Sequence, residues 1–260
     1  ISYATCGMPY AFSGIIEQRE KLIVVKPSLL RDRFNIDVKL GEEVTNIDTA
    51  NKTVYTLKGE YKYDKLVFAT GAKSIVPPIK NIDITNNWST CRSIVDYDKI
   101  TENLIAKDTK HVTVIGAGLI GVEVAENLLK SGKKVTLIEG SENVLPMWQP
   151  KFSQFAKTAL VEKGMEVITN TFVNEFVEEN GRIVKVKVAE DKFIATDFVI
   201  MSIGIKPNTD LLIKEGATHI GNGALKVNQH METSIKDVYA AGDNVALINK
   251  QTGEYDYFPL

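Results

Sequence analysis

The 260 residues are 44% hydrophobic and 25% charged, with 31 Lys and Arg against 33 Asp and Glu and a formal net charge of −2. This is the composition of an ordinary globular protein of one large or two modest domains. Charges of both signs are interspersed without a run of about five alike, which argues against a nucleic-acid or anionic-membrane footprint, and no apolar run approaches the roughly 18 residues of a membrane span.

Cys6 and Cys91 are too few and too far apart for a disulfide framework, so the expected setting is a reducing cytoplasm. The chain opens at Ile1 without a basic-then-apolar leader. The expectation is that no signal peptide is present and that the chain is a piece of a longer one.

In chain order, the first feature is SYATCGMPY at residues 2–10, where Cys6 precedes a helix start with Pro9 in its first turn. Two readings of the thiol stay open: a buried small hydrophobe, or a thiolate stabilised at a helix N-terminus. Residues 42–71, EEVTNIDTANKTVYTLKGEYKYDKLVFATG, read as a meander with turns near Ala50-Asn51 and Lys58-Gly59, then a buried strand stopping at Gly71. Cys91, in a polar stretch, reads as incidental.

The clearest unit follows at 111–140. HVTVIGAGLIGVEVAENLLKSGKKVTLIEG reads as a buried strand (Val112 to Ile115), a Gly-rich turn, a helix (Leu119 to Lys130) stopped by Gly132, and a second buried strand (Val135 to Glu139). Lys151 to Lys163 carries helical periodicity and Glu166 to Ile168 a strand. FVNEFVEENGRIVKVKV at 172–188 is a hairpin hinged at Asn180-Gly181, and DFVIMSIG closes the segment at Gly204. Asp64 to Gly71 and Asp197 to Gly204 share a spacing of seven, so the pattern reads as a duplicated nucleotide-binding design with α/β alternation.

Gly116-Ala117-Gly118-Leu119-Ile120-Gly121 is a GxGxxG between strand and helix, and Glu139 ends the next strand 21 residues after Gly118. The glycines serve a tight turn, close approach of a pyrophosphate and helix–strand packing, and the acid suits a ribose 2′-hydroxyl. Alone the motif would be a packing turn. With strand, helix and acid in place it reads as a dinucleotide site for NAD(H), the carboxylate opposing a 2′-phosphate. Ala69-Thr70-Gly71 and Ala241-Gly242-Asp243 each end a short apolar strand (LVFATG, VYAAGD) and read together as parts of a second nucleotide site. His111, His219 and His230 lack metal-ligand spacing, so no metal is expected.

SYATCGMPY, ATGA, GAGLIGVE with Glu139, SIGIKPN at 202–208 and VYAAGDN at 238–244 together resemble the flavin-dependent pyridine nucleotide–disulfide oxidoreductases. Within them the likeness is to the single-cysteine branch of coenzyme A disulfide reductases, NADH oxidases, NADH peroxidases and persulfide reductases. The resemblance covers essentially the whole chain.

It implies two Rossmann-like nucleotide-binding domains of the glutathione-reductase type, each with a βαβ core and a three-stranded meander. An NAD(H) domain at 90–205 would be inserted between FAD-binding parts at 1–89 and 206–260. It implies FAD held by Thr70, Gly71, Gly242 and Asp243. It also implies NAD(H) held along Gly116, Gly118, Leu119, Ile120, Gly121 and Glu139, with Glu123, Gly204 and Pro207 at the nicotinamide end.

Dithiol members carry a second cysteine five positions on, where this chain has Ala11. The resemblance therefore implies either a mixed disulfide of Cys6 with coenzyme A or a Cys6 sulfenic acid. The departures are three. A first Gly-rich fingerprint is missing before the cysteine segment, so FAD binding by this chain alone is in question. The chain stops at YDYFPL, before the dimerisation domain that implies a homodimer. Leu119 stands where many relatives carry a flavin-screening Tyr.

Three activities follow as expectations: NADH-driven reduction of coenzyme A disulfide or a related small disulfide or persulfide, an oxidase or peroxidase using O2 or H2O2, and a non-catalytic NAD(H)-binding sensor.

Overall fold

The computed structural model describes residues 2–106 and 109–259. By packing, the chain forms two units, Ile1–Asn35 with Ser74–Gly204 and Ile36–Lys73 with Ile205–Leu260. Packing thus cuts the chain at different places from the motif order, because the cysteine segment joins the first unit.

The first unit is built on a five-stranded sheet in the order Glu166–Ile168, Lys134–Ile138, His111–Ile115, Phe198–Met201, Trp88–Thr90, every pairing parallel. Alternate strand residues serve opposite faces, as the pleat requires. Val112, Val114, Val135, Leu137, Phe198 and Ile200 join one buried cluster with Val124, Ala125 and Leu128 of the helix Leu119–Lys130. Ile115, Ile138, Val199 and Met201 join a second cluster with Phe176, Ile183, Val186 and Ile194 of the antiparallel meander Glu175–Glu179, Arg182–Ala189, Lys192–Ala195.

The turns are those their residues favour. Asn180 (φ 53°) and Gly181 (φ 76°) make the left-handed pair of a two-residue hairpin. Gly132 (φ 84°) and Gly164 (φ 92°) stop the helices Leu119–Lys130 and Pro150–Glu162 in left-handed caps.

A third long helix, Ile94–Ala106, went unread in the sequence although its signal is there: Ser93 Oγ accepts the Asp96 N–H at 3.1 Å and Asp96 Oδ2 accepts the Ser93 N–H at 3.0 Å, a reciprocal capping box. The cysteine segment leans on this helix, with Phe12 stacked on Tyr97 at 5.5 Å between ring centroids. Arg19 forks onto Asp98 at 2.5 and 2.8 Å, and Met8 and Leu22 lie in the first cluster.

The second unit carries an antiparallel meander, Val44–Asp48, Thr53–Thr56 and Gly59–Lys62. The strand Leu66–Phe68 lies parallel to Val238–Ala240, Phe68 opposite Ala240. Ile47, Phe68, Leu212, Leu225, Val238 and Ala240 form its core. Among the described residues no helix is long and apolar enough to cross a membrane.

Phe198, fully buried on an interior strand of the sheet, is expected to cost about 3–5 kcal/mol on truncation to Ala. Denaturant unfolding of Phe198→Ala checks this, and a loss below about 1 kcal/mol would contradict the packing described.

Candidate functional site

The parallel sheet ends in loops at one edge, and the three glycines of the Gly-rich turn meet different constraints there. Gly116 has φ +99°, and a Cβ on it would lie 2.4 Å from the Ser202 carbonyl oxygen. A Cβ on Gly121 would lie 1.8 Å from the Gly116 oxygen. Gly118 is different. It caps the helix with an ordinary φ of −71°, and a Cβ there would meet no atom within 4 Å.

Neither backbone conformation nor packing requires glycine at 118, so the bare backbone fits the close approach of a group from outside the chain. The helix N-terminus beside it favours a negative one. Leu119 (55% exposed) and Ile120 (41% exposed) stand in that first turn with their side chains to solvent.

Glu139 follows the strand Lys134–Ile138 and keeps 9% of its surface exposed. Its carboxylate already accepts two backbone N–H groups, Ala117 onto Oε2 at 2.6 Å and Ser141 onto Oε1 at 2.8 Å. It therefore ties the Gly-rich turn to its own loop, and each oxygen keeps a lone pair for a ribose hydroxyl. The sequence reading gave Glu139 a ligand role alone and missed this tie, which pattern matching does not reveal.

Cys6 is exposed and Cys91 buried. Cys6 lies in a 3-10 turn, Thr5–Gly7, ahead of the helix Met8–Phe12. That helix is five residues long, so what the structure chiefly supplies to the thiol is access. Burial, with Asp96 nearby, pushes the Cys91 thiol up to about 12, which leaves it inert.

Four residues past Cys6, the Tyr10 hydroxyl donates to Glu123 Oε1 at 3.2 Å, and the negative carboxylate holds the phenol above its ordinary range. One turn further along both elements, Ser13 Oγ donates to Asn127 Oδ1 at 2.8 Å. The thiol segment and the Gly-rich helix are thereby joined within one unit.

The second unit brings the two short Gly motifs together. Asn244 is fully buried, and its Nδ2 donates to the Phe68 carbonyl at 2.9 Å and to Thr70 Oγ1 at 3.2 Å. Thr70 Oγ1 donates to the Asn208 carbonyl at 2.5 Å, Asn208 Nδ2 returns a bond to the Thr70 carbonyl at 3.1 Å, and the Asn208 N–H reaches the Gly71 carbonyl at 2.9 Å. The Asp243 carbonyl accepts the Tyr257 hydroxyl at 2.8 Å. Gly71 and Gly242 have φ of +63° and +88° with open space beside them.

Asn244 Oδ1 is buried without a hydrogen-bond partner among the described residues, an acceptor that fits a donor from outside the chain. Sequence reasoning singled out the motifs holding Asn208 and Asn244 but passed over both side chains.

Gly204 (φ +120°) ends the first unit, its carbonyl accepting the Ile75 N–H at 3.0 Å. Pro207 is buried on the strand Ile205–Pro207 of the second. Among the described residues no three His, Cys, Asp or Glu side chains gather as a metal site.

The family pattern described as pyridine nucleotide-disulphide oxidoreductase matches residues 1–254. An NADH oxidase of Enterococcus faecalis is 35% identical over the whole chain, which covers 59% of that protein. A CoA-dependent NAD(P)H sulfur oxidoreductase of Pyrococcus abyssi is 34% identical, again over the whole chain and 58% of the relative. Among solved structures, reduced Bacillus anthracis CoADR-RHD superposes with a TM-score of 0.94 at 33% identity, over the whole chain and 47% of that one. The water-forming NADH oxidase of Lactobacillus brevis, bound to NADH, gives 0.93 at 31%, over the whole chain and 58% of that one. The chain spans between 47% and 59% of the length of these relatives.

Gly118→Ala is expected to leave thermal stability unchanged and to weaken NADH binding about tenfold or more, whereas Gly121→Ala lowers stability as well. Calorimetric titration beside thermal melts separates the two, and equal behaviour would contradict the assignment of the glycines. In the native protein at pH 8 a thiol alkylator should label Cys6 and spare Cys91 until denaturant is added, as read by peptide mass mapping.

Proposed function

Because the chain belongs to the pyridine nucleotide-disulphide oxidoreductase family, we propose that it is the electron-transfer part of a flavoprotein that passes electrons from NADH to sulfur at Cys6 and reduces a small disulfide or persulfide such as coenzyme A disulfide. The observation that carries this reading is the exposed Cys6 thiol packed onto the same unit as the Gly118 turn. On this reading 90–205 is the NAD(H) domain, with 1–89 and 206–260 as parts of an FAD domain. The whole protein works as a cytoplasmic homodimer.

Gly116, Gly118, Gly121 and Glu139 hold NADH, the helix N-terminus taking the pyrophosphate. Leu119 and Ile120 flank it, and Glu123, Gly204 and Pro207 lie towards the nicotinamide. Thr70, Gly71, Gly242 and Asp243 hold FAD, the Asn244 network fixing the turn at Thr70. FAD, when bound, supplies acceptance of a hydride from NADH and passage of its electron pair to sulfur.

The Cys6 thiolate attacks one sulfur of the disulfide, the S–S bond breaks, one thiolate leaves, and a mixed disulfide forms on Cys6. Two electrons and a proton drawn from NADH then break that bond, releasing the second thiol and restoring the Cys6 thiolate. Ala11 stands where a resolving cysteine would be, so the second sulfur comes from the substrate.

A second reading, an NADH oxidase or peroxidase working through a Cys6 sulfenic acid, is favoured by the NADH oxidases among the relatives.

Intact mass of the full-length protein, purified without reductant, tests both. The expected result is an adduct of the mass of coenzyme A on Cys6, lost with dithiothreitol and absent in Cys6→Ser, which also loses NADH-driven disulfide reduction. A single added oxygen on Cys6 would favour the second reading. An unmodified thiol, with reduction intact in Cys6→Ser, would sink both.

A further inference from the structure

Three neighbouring parallel strands end in three loops, and the sheet order places them side by side: the Gly-rich turn after His111–Ile115, residues 139–141 after Lys134–Ile138, and residues 169–172 after Glu166–Ile168. The outer two are laced together. The Glu139 N–H donates to the Ile168 carbonyl at 2.8 Å, the Thr171 N–H to the Glu139 carbonyl at 3.0 Å, and the Asn170 N–H to the Ser141 carbonyl at 2.9 Å. Phe172 ends this lacing, and it is 69% exposed.

Its seat explains Gly140. That glycine is absent from the positive-φ residues, so its backbone conformation would accept a side chain, yet a Cβ on it would lie 2.4 Å from Phe172 Cε1 and 2.8 Å from Cζ. A side chain at Gly140 would displace the ring, which lies over the bare Cα with much of its surface in water. Phe172 joins none of the buried clusters, and an exposed aromatic ring beside the Glu139 loop can take a flat ligand.

We infer that Phe172, seated on Gly140, is the stacking platform for the purine base of the dinucleotide, an inference that rests on the NAD(H) reading of the Gly118 turn and Glu139. The order of the loops runs outward from pyrophosphate at Gly118, through ribose at Glu139, to base at Phe172, each step one strand spacing of about 4.8 Å. An aromatic face takes a purine by stacking and closes one side of it from water.

Titration of the full-length protein with ADP-ribose tests this. Phe172→Ala should raise the Kd about tenfold, which is about 1.4 kcal/mol and within the range for one base stack. Phe172→Tyr should retain wild-type affinity. Gly140→Ala, which displaces the ring without removing it, should weaken binding as Phe172→Ala does.

Phe172→Trp should keep the affinity and add a fluorescence quench on binding that the wild type lacks. That stacking signature is one a purely structural role would not produce. Unchanged affinity in Phe172→Ala with no added quench in Phe172→Trp overturns the inference while leaving dinucleotide binding intact. A wild type that binds neither ADP-ribose nor NADH overturns the underlying reading as well.

Discussion

The sheet edge that carries the Gly-rich turn of the first unit depends on one close approach. The helix Leu119–Lys130 is pressed so near the turn leaving the strand His111–Ile115 that no side chain fits at Gly121, and the same turn is pinned against Ser202 at Gly116. Only a helix this near can aim its free N–H groups across the sheet end, since a dipole's influence falls off within the first turn. The Glu139 tie to the Ala117 N–H then holds the turn in register with the neighbouring strand. A cofactor meets a surface already shaped, and its binding need not be spent on ordering that loop.

The second unit solves a similar problem with side chains. Its two Gly-ended strands lie parallel and adjacent, but a single buried asparagine reads the Phe68 carbonyl and the Thr70 hydroxyl, and Asn208 closes the circuit. Low dielectric strengthens such a network when its groups are paired and makes any unpaired one costly. Among the described residues Asn244 Oδ1 is unpartnered, and it is therefore the costly point of this network.

Much of this was legible in the residues. The βαβ unit, the Asn180-Gly181 hairpin and the two repeated Asp-to-Gly segments are written in periodicity and turn chemistry, which act locally. What was not legible depends on approach between distant segments. Met8 and Leu22 could belong to any core, and only packing shows that they share one with Leu137. The position of Glu139 predicts a ribose contact, but its hold on Ala117 is visible only in three dimensions. Gly140 and Phe172 each look unremarkable until the ring is seen over the bare Cα. The helix Ile94–Ala106 was the one local miss, its Ser93–Asp96 box having been passed over.

The Asn244 network also sets an order on the chain's birth. Asn244 lies 176 residues beyond Phe68, so at a synthesis rate of 5–20 residues per second the strand Leu66–Phe68 waits roughly 9 to 35 s for its partner. In that interval the intervening residues of the first unit emerge and can close their own sheet. The meander before Leu66 can pair its own three strands but waits for Leu212, Leu225 and Val238 to cover its core residue Ile47, and the exposed, lysine-bearing strand Gly59–Lys62 at its edge is suited to that wait.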